Sequence, residues 1–411
     1  MENTSYKTPV LRFPEFKESW KQVRLNQLLY ESKKRNYDLK FDKSQVLSVS
    51  GELGVVNQIK HLGRSYAGES VHNYHILQTG DIVYTKSPLK ENPYGIIKLN
   101  KGEPGIVSTL YAVYKVNNET AIGTFLEFYF SLHANTNRYL RPLVKKGAKN
   151  DMKINNTYVL NDPIYVPQKV EQQKIANFLT AIDTKILYLA RKKELLRKYK
   201  KGVSQQIFNR QIRFKDDNGN IFPLWEDKRL ADIATFIRGK GLAKADLSDI
   251  GVNPCIHYGE LFTKYAEVII TVSSRTDVND GIKSLKGDIL MPSSDVTPQG
   301  LGKASSIQVS NVLLGGDINI VRPAPSVDSI FLSYLLNYNK NSIIKLVTGT
   351  SVKHIYISDI KSILLNIPNS IKEQEKIADF LTGINTKIDL VTQQLQKAQQ
   401  FKKGLLQKMF V

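Results

Sequence analysis

EQQKIANFLTAIDTKI at residues 171–186 and EQEKIADFLTGINTKI at residues 373–388 are one stretch written twice, identical at twelve of sixteen positions at a shift of 202. Chance does not produce that agreement, so the 411-residue chain is an internal duplication. A second pair supports it: WKQVRL at 20–25 resembles WEDKRL at 225–230, with Arg12-Phe13 and Arg213-Phe214 upstream, at shifts of 201 to 205. About 140 residues lie between the shared segments in each half, and these resemble each other only faintly. A common scaffold carries two different inserts.

The shared segment after each insert has the period of a long helix with a narrow apolar seam. In the first copy Ile175, Leu179, Ile182, Ile186, Leu189, Leu196, Val203 and Ile207 fall on alternating steps of four and three, with Lys193 and Lys200 filling the gaps. The second copy continues the register through Ile377, Leu381, Ile384, Ile388, Val391, Leu395, Ala398, Leu405 and Met409, broken by Lys402. Pro167 and Pro368 stand just before each start. Each helix should run about 40 residues, roughly 60 Å. A surface helix packed on its own domain is the plain reading of one such pattern; two matching copies favour an antiparallel pair that holds the inserts at opposite ends.

The inserts read as mixed α/β domains. Residues 80–84 (GDIVY), 105–114 (GIVSTLYAVY), 268–272 (VIITV) and 316–321 (GDINIV) are strand-like, and residues 125–132 and 329–337 are helix candidates in equivalent places. The expected fold class is α/β of the α+β kind: two similar mixed domains with antiparallel sheet, separated by a long antiparallel two-helix coiled coil, with a pseudo-twofold duplication. The expected boundaries are 1–166, 167–210, 211–367 and 368–411, with the helices in the second and fourth segments.

Lys and Arg number 58 against 38 Asp and Glu, a net charge of +20, which calls for an anionic partner, and nucleic acid suits the pattern better than a membrane surface. The excess is uneven, +16 over residues 1–210 and +4 over residues 211–411. Part of it is the run Arg191, Lys192, Lys193, Arg197, Lys198, Lys200 and Lys201, read either as a solvated face or as a contact to DNA or a partner. The single cysteine, Cys255, excludes a disulfide framework and a multi-thiolate zinc site. With no signal-peptide pattern and no apolar run long enough to span a bilayer, a cytoplasmic location is expected, with no membrane partner.

Catalytic motifs are incomplete. Asn92-Pro93-Tyr94 is short of one proline for an amino-methyltransferase loop and reads as a turn. Gly300-Leu301-Gly302-Lys303 lacks the phosphate-loop spacing and reads as a tight turn between strands. His72 and His75 point to opposite faces of a strand-like segment, so no metal site is expected. Glu15-Phe16-Lys17, the one Glu-x-Lys considered as a nuclease signature, has no strand context. No catalytic residue is assigned.

The repeated EQ-x-KIA-x-FLT helix, the Arg-Phe then Trp-x-x-x-x-Leu entry to each half, and the two divergent inserts resemble the specificity subunits of type I restriction-modification enzymes. The likeness covers essentially the whole chain and extends to residues 85–95, 254–265 and 315–323. It implies a non-enzymatic subunit whose two target recognition domains each read one half of a bipartite interrupted site in double-stranded DNA. It implies that the helices set the spacing and dock two modification subunits, with seam residues Ile175, Leu179, Ile182, Ile186, Leu189, Ile377, Leu381, Ile384, Ile388 and Val391 marking that region. It places S-adenosylmethionine in the modification subunits, no cofactor in this chain, and restriction (motor-nuclease) subunits in the full complex. The alternatives are a self-contained DNA adenine methyltransferase or restriction enzyme, and a non-enzymatic coiled-coil adaptor.

Three clusters are the expected DNA contacts. In the first insert they are Lys86, Ser87 and Lys90, with Lys145, Lys146, Lys149 and Lys153 around Gly147. In the second they are Ser293, Ser294, Thr297 and Gln299, with Thr350, Ser351, Lys353 and His354. Arg238, Lys240 and Lys244 flank Gly239 and Gly241, where backbone can approach a phosphate. The serines and Gln299 are the better base readers, because neutral donors and acceptors discriminate where ammonium groups mainly position.

Overall fold

Two long helices span Lys169–Phe208 and Ile371–Met409 in the computed structural model, which describes residues 6–146 and 152–411. The chain divides into two units, Met1–Leu189 with Gln394–Val411, and Ala190–Gln393, so each unit contains the start of one helix and the end of the other. In the first unit Ile175 and Leu179 share a core with Leu405, Leu406 and Met409, and Lys402 Nζ lies 2.6 Å from Asp183 Oδ1. In the second, Val203 and Ile207 share a core with Ile377, Leu381 and Ile384. Early turns of one helix meet late turns of the other, so within each unit the segments run antiparallel.

Two equivalent lysines that interrupt the seam, Lys200 and Lys402, are accommodated in the same way in the two units. Lys402 lies 5.4 Å from the Phe128 ring, and Lys200, its equivalent at the 202-residue shift, lies 5.3 Å from the Tyr334 ring. Asp183, the carboxylate facing Lys402, is replaced at that shift by Asn385. There Glu267 supplies the missing charge, 2.5 Å from Lys200, and accepts a hydrogen bond from Asn385 Nδ2 at 3.1 Å. Lys200 and Lys402 therefore each keep a carboxylate partner, which a half-buried ammonium requires.

The inserts share the order of four central strands despite their unlike sequences. In the first unit an antiparallel sheet runs in the spatial order Leu29–Glu31, Ala112–Val116, Ile82–Tyr84, Ile97–Leu99. In the second the order is Ala234–Arg238, Ile318–Pro323, Asp288–Pro292, Ser305–Ile307, extended by Val268–Ile269. Helices Gly123–Ser131 and Ser329–Tyr338 occupy equivalent places in the chain and contribute Phe125 and Phe331 to their cores. The expectation of antiparallel sheet needs one amendment: Val268–Ile269 pairs parallel with Ser305–Ile307, and Asn253–Ile256 parallel with Leu313–Leu314. Two stretches also differ from their strand reading. Residues 105–114 form two strands, Gly105–Val107 and Ala112–Val116, because Ser108 and Tyr111 close a turn between them. Gly300 ends no strand turn but lies in a one-turn helix, Pro298–Leu301, opened by proline.

The repeated residues outside the helices form a buried latch. Glu171 and Glu373, 1% and 0% exposed, receive the Arg12 and Arg213 guanidinium groups at 2.7 and 2.9 Å. Gln172 accepts from the Ile122 amide at 3.0 Å and Gln374 from the Asp328 amide at 2.8 Å, tying each helix start to the lead-in of its insert helix. Phe13 and Phe214 pack edge-on against Phe178 and Phe380, both at 5.6 Å. Trp20–Arg24 pairs with Pro163–Val166, and Trp225–Arg229 with Leu364–Pro368, so each insert is closed by its own first and last strands. The Glu15 carboxylate binds Lys174, a structural ion pair rather than part of a nuclease site. No described helix is long and apolar enough to cross a membrane.

Candidate nucleic-acid interface

In the second unit the tertiary structure joins the three clusters separated in sequence. Residues 348–354 form a hairpin, Thr348 and His354 exchanging backbone hydrogen bonds of 3.0 and 2.8 Å across Gly349, whose φ of +100° is a conformation glycine adopts without strain. Its second strand, Lys353–His354, pairs antiparallel with Ser294–Asp295, so residues some 60 positions apart share a two-stranded ribbon. A cavity beside the ribbon is lined by Arg238, Ser293, Asn319, His354 and Tyr356. On its other side Arg238 also lines a groove with Lys240, Gly241, His257 and Asp317. Thr297, Gln299, Thr350 and Ser351 are exposed, and Lys353 Nζ donates to Gly349 O at 2.6 Å, closing the hairpin tip.

Some expected contacts have other roles. Ser293 and Ser294 are only 5% and 7% exposed, and the Ser293 hydroxyl is 3.4 Å from Asp317 Oδ1, so these serines build the wall from inside. Gly239 lines the groove beside Arg238 as well. A Cβ there would lie 2.0 Å from Gly315 O, so the missing side chain lets two chain segments approach each other. Gly241, at φ +60°, has open space around it. Lys240 lies 2.7 Å from Asp280, whose hydrogen bond and charge hold the ammonium pKa above the ordinary lysine value, and Lys244 stands on the short turn Lys244–Asp246. Burial lowers the His257 pKa, so this ring is neutral at pH 7 and can accept as well as donate a hydrogen bond.

The first unit offers a related surface. Lys86, Ser87 and Lys90 lie in the loop between Ile82–Tyr84 and Ile97–Leu99, with Ser87 and Lys90 exposed. Asn92, in the Asn-Pro-Tyr stretch, is 5% exposed, its Oδ1 2.5 Å from His133 Nδ1; Tyr84 OH donates to Tyr94 O at 2.7 Å. This stretch is a pinned turn, as expected. Lys145–Lys146 and Met152–Lys153 pair as antiparallel strands in the place that residues 348–354 take in the second insert, and Gly147 and Lys149 lie outside the described residues. Among the described residues no three His, Cys, Asp or Glu side chains form a metal-holding group, and His75 is buried away from exposed His72.

The sequence reading missed Tyr356 and Asp317. Tyr356 is 52% exposed and stacks on His354 at 6.2 Å and 22°. Its signal was available, since residues 353–357 (KHIYI) alternate with a period of two and put His354 and Tyr356 on one face. Asp317 had no local signal, because its neighbours Arg238 and Ser293 are 79 and 24 positions away.

The seam residues are already used within the chain. Ile175, Leu179, Leu189, Ile377, Leu381, Ile384, Ile388 and Val391 are each less than 9% exposed, and Ile182 and Ile186 are half-buried, so this seam is not a free docking face. Exposed apolar side chains on the long helices are elsewhere, among them Leu187, Tyr188, Leu195, Tyr199 and Leu390.

Residues 224–400 match the family model described as the type I restriction modification DNA specificity domain. Over 380 residues the chain is 23% identical to a Methanocaldococcus jannaschii protein named as the MjaX type I restriction enzyme specificity subunit, covering 86% of this chain and 81% of that one. The MjaVIII type I restriction enzyme specificity subunit of the same organism is 24% identical over 261 residues, 60% of each chain. The fold resembles the crystal structure of the type I restriction-modification S subunit from M. genitalium, with a TM-score of 0.62, 15% identity and coverage of 98% and 99%. It also resembles a chain from a study of complex assembly and conformational transition in the type I R-M system, with a TM-score of 0.53, 17% identity and coverage of 96% and 98%. Residues 224–400 thus match a type I restriction modification DNA specificity domain, and the chain as a whole is similar to type I restriction-modification specificity subunits.

Proposed function

We propose that this chain is the DNA-reading subunit of a type I restriction-modification complex, each insert reading one half of a bipartite, interrupted site. The observation that carries the proposal is the contrast between halves: the same order of four central strands and the same buried latch, but unlike residues on the ribbon and loops. A shared frame with divergent exposed loops suits two readers of different base sequences on one scaffold. In this reading the long helices act as a stiff spacer between the two readers, a role a flexible linker could not fill. Two modification subunits dock on the outer faces of the helices, where Leu187, Tyr188, Leu195, Tyr199 and Leu390 are exposed. The chain itself catalyses nothing. Binding of S-adenosylmethionine and methyl transfer belong to the modification subunits, and restriction subunits join the full complex.

Co-expression tests this directly. The chain with its modification subunit should methylate a bipartite motif, and the chain alone should methylate nothing. Exchange of residues 26–166 for the matching segment of a relative should change one half of the motif and leave the other half intact. A change in both halves would overturn independent reading.

A further inference from the structure

Arg238 ends the edge strand Ala234–Arg238, between the two cavities of the second unit. Its side chain is 57% exposed yet held: Nε donates to Gly316 O at 3.2 Å, and Nη2 donates to Asp317 Oδ1 at 3.3 Å. Asp317 is itself fixed, its backbone carbonyl accepting from the Ser293 amide at 2.9 Å and its carboxylate 3.4 Å from the Ser293 hydroxyl. The approach of Gly239 to Gly315 sets the two segments at this separation. An ion pair this exposed contributes little to stability. What it does is orient. With Nε and one proton of Nη2 engaged, the outer edge formed by Nη1 and Nη2 has no partner among the described residues and presents two parallel donors. That planar fork matches the O6 and N7 acceptors of guanine in the major groove, and no other base edge there offers two adjacent acceptors. A lysine cannot imitate it.

We propose that Arg238 reads a guanine in the half-site of the second insert, and that Asp317 is the positioning residue that aims it. This rests on the DNA-reading function proposed above. His354 and Tyr356, which line the same cavity, would meet the neighbouring base pair.

The test uses the chain co-expressed with its modification subunit, reading the methylated motif of wild type, R238A, R238K and D317N by genome-wide methylation mapping. The wild-type motif should hold a guanine on one strand of the half-site that the second insert reads. R238A and R238K should both relax that one position, with discrimination against other bases falling roughly ten- to hundred-fold. D317N should relax the same position more weakly, which a merely structural role for Asp317 would not do. The other half-site should be unchanged in all three. An unchanged motif in R238A, with binding weakened equally on all sequences and a shallower salt dependence, would make Arg238 a phosphate contact and overturn the assignment. Full recovery by R238K would overturn it too. Failure of the wild-type complex to methylate any bipartite motif would instead sink the reading on which it rests.

Discussion

Replacing Arg213 with Met should destabilise the second unit more than replacing Arg12 with Met destabilises the first. Both changes strand a carboxylate that is at most 2% exposed, and breaking a buried ion pair by removing one partner costs about 3 to 5 kcal/mol. The two sites differ in what remains. Glu171 keeps a second donor, Trp20 Nε1 at 3.3 Å, whereas Trp225 Nε1 has no acceptor among the described residues and Glu373 keeps none of its three guanidinium hydrogen bonds. The surviving hydrogen bond should reduce the cost in the first unit by about 1 kcal/mol. The chain has two tryptophans, one per unit, so urea unfolding can be followed separately, through Trp225 in a Trp20→Phe background and through Trp20 in a Trp225→Phe background. With a urea slope of about 2 to 3 kcal/mol/M, R213M should lower its midpoint by about 1 to 2 M. The double variant R213M/E373L should recover most of the loss, because an apolar pair of similar size leaves no charge unpaired. Equal losses at the two sites, or a double variant no better than R213M alone, would refute this account of the latch.

Burial, with a smaller contribution from Arg35, pushes the His75 pKa down to about 4, and its Nδ1 has no hydrogen-bond partner among the described residues. Below the ordinary value near 6.5 the unfolded chain takes a proton that the folded one refuses. First-unit stability should therefore be flat above that pH and fall between pH 6.5 and 4, by at most about 3 kcal/mol, with H75F removing the slope in urea titrations at several pH values. Gly239→Ala should lower second-unit stability by about 2 to 3 kcal/mol, since its Cβ would lie 2.0 Å from Gly315 O, whereas Gly241→Ala should cost only about 1 kcal/mol for its positive φ; a denaturation series that reversed this order would show the close approach to be relaxed in solution. Inserting one heptad after Leu189 and one after Val391 lengthens each helix by about 10.5 Å, so active variants should methylate a motif with up to about three more spacer base pairs and the same half-site letters; an unchanged spacer would remove the helices as the ruler.

The duplication, the long helices and the seam could all be read in one dimension. Heptad spacing is a local property, and the second copy repeated it at positions 175 and 377, 179 and 381, 182 and 384, so the period alone determined which helix faces are covered. Strand-like segments such as residues 80–84 were legible for the same reason, whereas residues 105–114 were not, because two strands and the turn between them can share one apolar, β-branched composition. The site depended on long-range pairing. Thr350, Ser351, Lys353 and His354 became one surface with Thr297 and Gln299 only because Lys353–His354 pairs with Ser294–Asp295. Burial then reassigned neighbours within the same short stretch: Ser293 and Ser294 turned inward while Thr297 and Gln299 stayed exposed. Tertiary structure alone set Arg238 against Asp317, 79 positions away, and brought Glu267 to Lys200 where Asn385 replaces the carboxylate found at Asp183. Periodicity records which face a residue occupies on its own helix or strand; which distant residue meets it is decided by strand register and close packing, which leave no local pattern in the chain.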